Sequence, residues 1–324
     1  MLDIDDPDGE IQQWLNEKYG GEPDERWKRE IGEYHASEMG KCARKTFLKF
    51  VDEAQGRPSG DFRYFEFGIW FEDKYEEKLV EEYGSDYILQ DVGIEIHLPG
   101  DIRIVGESDW CVLNRPYNGD PIQYELLEDE TRLEHSDEGT REIGEDDEPI
   151  VKEVIETKTI GSLWYVKGQP KHPHSYQIMS YLKAIGVDGR VTYMQRDILS
   201  ENELMAYLYR CDHEEMEVPD RLHERVNDAF HNDLREQHCD VSFSEYTWYR
   251  IVEKAHLLHD NLIEAANDPD VPHPREIDLD EVDPYSKKTQ ELMPATDPYD
   301  RSFECNFCNF NAECMRIGGS RWDS

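Results

Sequence analysis

Glu156 and Lys158 stand two apart in "IVKEVIETKTI", an E-x-K pair. In a strand side chains alternate with period two, so both leave one face and Thr157 points away from them. Alone, such a pair is a common salt bridge on an exposed strand face. With a second carboxylate it becomes a hydrolytic site, and Asp109 in "GESDWCVLN" supplies one if its strand pairs with the later strand. Paired carboxylates are hard oxygen ligands that suit Mg²⁺ or Mn²⁺. An ion held there lowers the pKa of a bound water and stabilises a phosphoryl oxyanion, with Lys158 orienting or deprotonating the water.

Further groups accompany this trio. "SYQIMSYL" carries Gln177 and Tyr181 at i and i+4, an amide and a phenol on one helical face. Upstream, "FGIWFEDKYEE" contains Gly68-x-x-x-Glu72, where a glycine permits close approach and Glu72 adds a carboxylate on the same face. Three of the seven cysteines, Cys305, Cys308 and Cys314, form a C-x2-C-x5-C run. Tetrahedral zinc and an iron-sulfur cluster both want four ligands, so the run is one short. Cys111, Cys211 and Cys239 lack ligand spacing and read as core or incidental thiols.

The elements that must position these groups are legible in outline. "IQQWLNEKY" predicts a leading helix in a polar, acidic segment, 1–35. "SEMGKCARKTFLKFV" predicts a helix with Ser37 as N-cap and Cys42 in its first turns. "YFEFGIWFEDKYEEKLVEEYG" is an amphipathic helix stopped at Gly84. "YILQDVGIEIHL" and "IRIVGESDWCVLN" read as strands. The very acidic stretch 115–149 reads as an inserted surface loop or hairpin, disordered in part. "IVKEVIETKTI" is a strand and "HSYQIMSYLKAIGV" a helix; "RVTYMQRDI" and "ENELMAYLYRC" read as a hairpin. Helical stretches at 219–237 and 245–267 precede an acidic connector. That order predicts an α/β fold, a mixed central sheet flanked by helices.

Taken in order, G-x-x-x-E, an Asp at a strand, E-x-K and Q-x-x-x-Y resemble the RecB-like branch of the PD-(D/E)XK nucleases. Cysteine in "SEMGKCARKTFL" together with the C-terminal run resembles that branch's iron-sulfur members, the CRISPR-associated exonucleases and AddB-type nuclease subunits. The resemblance covers about 36–316, leaving 317–324 as a tail, and implies a restriction-endonuclease-like core. It implies that Cys42 completes a 4Fe-4S site with Cys305, Cys308 and Cys314, stapling the two ends of the domain; zinc in the same four-cysteine site is the alternative. It further implies Asp109, Glu156 and Glu72 as metal ligands, Lys158 as catalytic lysine, and Gln177, Tyr181, Arg44 and Lys45 as DNA-binding residues. Glu72 departs from the family, where many members have histidine. The implied activity is metal-dependent hydrolysis of single-stranded DNA ends, in CRISPR adaptation, recombination or replication. The long region 196–300 leaves room for a protein partner in such a complex. The competing expectation is a non-catalytic DNA-binding or assembly subunit kept folded by the four cysteines.

Composition sets the setting. With 74 acidic and 35 basic residues the formal charge is −39, yet 37% hydrophobic content with 7 Trp, 18 Tyr and 11 Phe argues for a packed core. An acidic solvated surface of this kind suits molar salt, where a Debye length of about 3 Å lets a phosphate backbone approach. No run of eighteen apolar residues and no signal-peptide pattern occurs, so the expected location is cytoplasmic, with no membrane partner. An odd count of seven cysteines in a reducing compartment points to thiols and metal rather than disulfides.

Overall fold

The computed structural model describes residues 8–19, 31–41, 46, 50, 59–119, 121–144, 147–196, 198–213 and 216–267. Cys42, Arg44, Lys45, Cys305, Cys308 and Cys314 lie outside the described residues. The elements in chain order are α1 (Asp8–Tyr19), β1 (Glu33–His35), α2 (Ala36–Met39), α3 (Ser59–Tyr83), β2 (Ile88–Leu98), β3 (Ile102–Leu113), β4 (Gln123–Leu126), β5 (Arg132–Ser136) and β6 (Gly139–Ile143). They continue with β7 (Val151–Ile160), α4 (His172–Ile185), β8 (Gly189–Gln195), α5 (Glu201–Asp212), α6 (Asp220–Asp228), β9 (Glu236–Val241) and α7 (Glu245–Asn267).

A nine-stranded mixed sheet runs β6-β5-β4-β2-β3-β7-β8-β9, with β1 added beside β3. Helices cover both faces, as the mixed-sheet reading anticipates. On one face Val92, Ile94, Ile96 and Val154 share a core with Ile178, Leu182, Ile251 and Leu258 of α4 and α7. On the other, Trp110, Val112, Ile155 and Met194 pack with Phe67, Trp70, Phe71 and Tyr75 of α3 and with α1 and α5.

The strand edges of β3 explain where a site can form. One edge pairs with β2 from Ile102 to Val112. The other is shared: β1 takes Arg103 to Val105, and β7 takes only Trp110 to Leu113. Beyond the Trp110–Ile155 pair, β7 leaves β3 and continues against β8 alone, from Val154 to Ile160. The sheet is therefore forked at Asp109 and Glu156, the next residues along each strand.

Several local expectations change. Of the two readings of the acidic stretch, the hairpin holds for β5 and β6, but it is no surface appendage: β4 pairs with β2 in parallel and joins that hairpin to the main sheet. Its anchor is Glu134, 1% exposed, which accepts hydrogen bonds from Tyr124 Oη, the Ile150 amide and Arg141 Nε. A buried carboxylate is tolerable only when so fully bonded. "ENELMAYLYRC" is helix, not strand, because Ser200 and Glu203 form a reciprocal capping box. The first C-terminal helical stretch ends early: after α6 a π-turn, Ala229–Asp233, leads into edge strand β9. The helix over Ala36–Met39 begins after His35 rather than at Ser37.

Gly84 stops α3 as expected, at φ 90°. Gly68 does not serve close approach, since a Cβ there would meet nothing within 4 Å. Gly68→Ala is therefore expected to stabilise the protein by about 1 kcal/mol through helix propensity alone. A chemical melt showing destabilisation would mean that the helix needs glycine for another reason.

Candidate metal and hydrolytic site

Asp109 is held at the fork by β7 itself. Its Oδ2 accepts from the Thr157 amide at 2.7 Å and from Thr157 Oγ1 at 2.8 Å. Thr157 does leave the opposite face from Glu156 and Lys158, yet it does not point away from the chemistry, because the diverging strands let its hydroxyl reach Asp109. Lys158 reaches the same carboxylate, with Nζ 3.7 Å from Asp109 Oδ2, and donates to Glu156 Oε1. The open fork is what allows groups on both faces of the sheet to meet at one carboxylate.

Glu156 is fully buried, and its Oε2 has no hydrogen-bond partner. Burial first, then the neighbouring Asp109 charge, push its pKa up to about 8, against the pull of Lys158. Glu72 arrives from α3; burial and then Asp109 raise it to about 7. The ammonium of Lys158 is pushed upward in turn by Asp109 and Glu156, which outweigh its burial. Lys158 retains 26% side-chain exposure and Asp109 19%, so the site opens to solvent on their side.

A fourth carboxylate joins them. The β2–β3 register keeps one offset on both sides, from Gln90↔Trp110 to Val92↔Ser108, which sets Asp91 opposite Asp109. Asp91 has φ 56°, and its pKa is raised by burial and then by Asp109. Around it the apolar side chains change face: Ile88 belongs to one core and Val92, Ile94 and Ile96 to the other. Strict alternation would keep all four together, so a left-handed residue in the strand turns the face there. Sequence reasoning missed Asp91, because only strand register brings it to Asp109.

Gln177 and Tyr181 are brought to the fork in another manner. Both are buried; Gln177 Nε2 donates to Tyr181 Oη at 3.1 Å, and Tyr181 Oη donates to the Glu107 carbonyl at 2.8 Å. Tyr181 thus satisfies a β3 carbonyl on the stretch that neither β1 nor β7 pairs. Gly106 leaves room for its ring, since a Cβ there would lie 3.1 Å from Tyr181 Cε1. This pair acts on Asp109 by holding the strand that carries it. Another missed residue, His174, is half-buried with its Nδ1 2.8 Å from Tyr193 Oη, and Tyr193 is the ladder partner of Lys158. Burial, then Lys158, Lys171 and Lys41, lower its pKa to about 3, so the ring is neutral.

Among the described residues no three His, Cys, Asp or Glu side chains are arranged to hold a metal ion as they stand. Asp109 Oδ2 is occupied by Thr157, and Glu156 Oε1 by Lys158. The donor chemistry nevertheless suits a hard divalent cation. All the carboxylates are oxygen donors, Asp109 raises the pKa of both Glu72 and Glu156, and the buried Glu156 Oε2 has no partner. No helix among the described residues is long and apolar enough to cross a membrane.

No family model matches the chain. No curated protein matches it either. Among solved structures, one titled "Crystal structure of SSO0001", a Sulfolobus protein, is similar over 77% of this chain and 85% of its own, at 16% identity and a TM-score of 0.40. A likeness that loose bears on neither fold nor function.

Proposed function

We propose that the protein is a metal-dependent DNA exonuclease of the RecB-like kind, hydrolysing phosphodiester bonds at single-stranded ends. The observation that carries this reading is the convergence of Asp109, Glu156, Glu72 and Lys158 at a sheet fork, with one buried carboxylate oxygen unpartnered. Asp109 and Glu156, with Glu72, would hold Mg²⁺ or Mn²⁺. Such an ion supplies a water of lowered pKa and neutralises charge on the phosphoryl oxygens. Lys158 sits beside both carboxylates with its ammonium in reach of solvent, placed to orient that water or to bond a non-bridging phosphate oxygen. Thr157 and Tyr181 keep Asp109 in place through the bonds to its carboxylate and to its strand.

Cys42, Cys305, Cys308 and Cys314 are proposed to carry a 4Fe-4S cluster that joins the two ends of the domain. Protein purified without oxygen is expected to be brown and to contain iron and acid-labile sulfide; a colourless, zinc-loaded protein would overturn the cluster assignment.

The activity itself is tested with end-labelled single-stranded DNA at high salt. Degradation is expected with Mn²⁺ or Mg²⁺ and none with chelator. DNA bound but never cut, with either ion, would instead leave a non-catalytic binding or assembly subunit.

A further inference from the structure

In a chain where 74 of 324 residues are acidic, the distribution of the gaps is informative. No Asp or Glu occurs between Glu156 and Asp188. At the chain's average, those 31 residues would hold about seven. The next longest such gap, Met39 to Val51, is less than half as long. Its first residues abut the same place: a Cβ on Gly40 would stand 2.2 Å from Pro173 Cα, so α2 lies directly on the start of α4. An acidic surface is the solvated default for this protein. The last part of the stretch, Gln177–Ile185, is buried and excludes acidic side chains for that reason. The part that bears on the surface is 161–176, a mostly exposed and half-buried run without an acidic side chain.

The middle of the stretch is a surface turn between β7 and α4. Trp164 there is 79% exposed, the most exposed of the large hydrophobic side chains among the described residues. Lys167 is exposed and Lys171 half-buried, and neither is ion-paired among the described residues. Burial alone lowers the Lys171 pKa, with no carboxylate acting against it. Lys183, in contrast, is paired with Glu130 at the far end. The turn is tied to the candidate site: the Lys171 amide donates to Tyr193 Oη at 2.7 Å, and Tyr193 is the ladder partner of Lys158. Just past the end of β8 the Arg196 amide donates to the Ile160 carbonyl at 2.9 Å. The Arg196 guanidinium lies over the Tyr64 ring, 4.4 Å from its centroid. An exposed indole and two lysines without ion pairs among the described residues thus lie on the turn that follows β7, and the residue carrying the Tyr–Arg stack is bonded to the last residue of β7.

We propose that the face formed by this turn and Arg196 receives a nucleic-acid single strand, with Lys167, Lys171 and Arg196 on its phosphates and Trp164 stacked on an unpaired base. The proposal rests on the nuclease reading of the adjoining carboxylate and lysine site, to which the face would deliver the strand. Charge complementarity selects a polyanion, and an exposed aromatic ring selects one with accessible base faces over a closed duplex.

The test measures binding in chelator, where no cutting occurs, using a fluorescein-labelled oligothymidylate of about twenty nucleotides and a blunt duplex of equal length. Trp164→Ala removes an exposed side chain and is expected to weaken strand binding about fivefold to a hundredfold, leaving duplex binding nearly unchanged. Lys167→Gln with Lys171→Gln is expected to lower the slope of log affinity against log salt by about 1.4, two phosphate contacts' worth. Thermal melts of each variant verify the fold, and the exposed Trp164 gives a readout even if Lys171 proves structural. Wild-type strand affinity in Trp164→Ala and an unchanged salt slope in the lysine variant would overturn the proposal, as would a wild type that binds no strand. If the face instead seats the acidic surface of a second copy, the lysine variant would lose mass by light scattering while keeping strand affinity, which also overturns it. A wild type that cuts DNA while the variants bind normally rejects the face and keeps the nuclease reading; strand binding that depends on the face without any cutting rejects the reading and keeps the face.

Discussion

Glu156→Gln is expected to abolish metal-dependent DNA hydrolysis while raising the melting temperature of the metal-free protein at pH 8 and above. The two effects have one cause. A fully buried carboxylate with an unpartnered oxygen, beside Asp109 and Glu72, is expensive to ionise, and its pKa is raised from 4.5 to about 8. Between those values the folded protein keeps a proton that the unfolded chain releases. The group's contribution to stability is therefore fully present below pH 4.5 and is lost as pH rises towards 8. Glutamine cannot ionise, so the variant escapes that loss. The gain should be on the order of a few kcal/mol at pH 8, about 5–10 °C in melting temperature, and should vanish below pH 4.5. Hydrolysis should fall at least about 10²-fold, because an amide is a poor ligand and leaves a charge missing where the transition state needs it. Melts at pH 4 and pH 8.5 in chelator, with a nuclease assay in Mn²⁺, read both. An identical pH profile in the two proteins would show that Glu156 is not the strained group.

Lys158→Met is expected to destroy activity with the opposite effect on stability. The ammonium donates to Glu156 and lies 3.7 Å from Asp109 Oδ2, so its loss leaves negative charges facing one another without compensation. Breaking a pair whose other half is buried costs about 3 kcal/mol, and the methionine stem preserves the packing. The destabilisation should be greatest at pH 8 and shrink towards pH 5, where Glu156 is protonated in the folded state. Combining it with Glu156→Gln should restore much of the loss, since neighbouring charges in one network are not additive. A Lys158→Met protein as stable as the wild type at pH 8, and as active, would remove the lysine from the site.

The outcome differs by element for physical reasons. Strands β2, β3 and β7 and helices α3, α4 and α7 are long, periodic segments with turn signals at their ends, and local pattern is a sufficient guide there. In 115–149 the hairpin is legible but its membership of the main sheet is not, because charge density masks alternation. Tyr124, Leu126 and Ile143 are buried members of the core, while Glu128, Asp129, Glu130, Asp137, Glu138 and Glu142 between them face water. "ENELMAYLYRC" is ambiguous in its apolar pattern, and the Ser200–Glu203 capping box decides it as a helix. The G-x-x-x-E spacing implies a close approach at Gly68, and the empty space around that residue shows none.

For this protein, the sequence by itself determined the mixed sheet between helices, the placing of Glu156 and Lys158 on one strand face, and the amide–phenol pair on one turn of α4. These depend on periods of 2.0 and 3.6 residues, which are local. Tertiary structure alone decided that β7 leaves β3 at Asp109, that Thr157 binds the carboxylate from the other face, and that Asp91 faces Asp109. It also decided that Tyr181 serves a β3 carbonyl and not the solvent. Each of these joins residues distant in sequence through strand register and divergence, and no spacing along the chain encodes where two strands part.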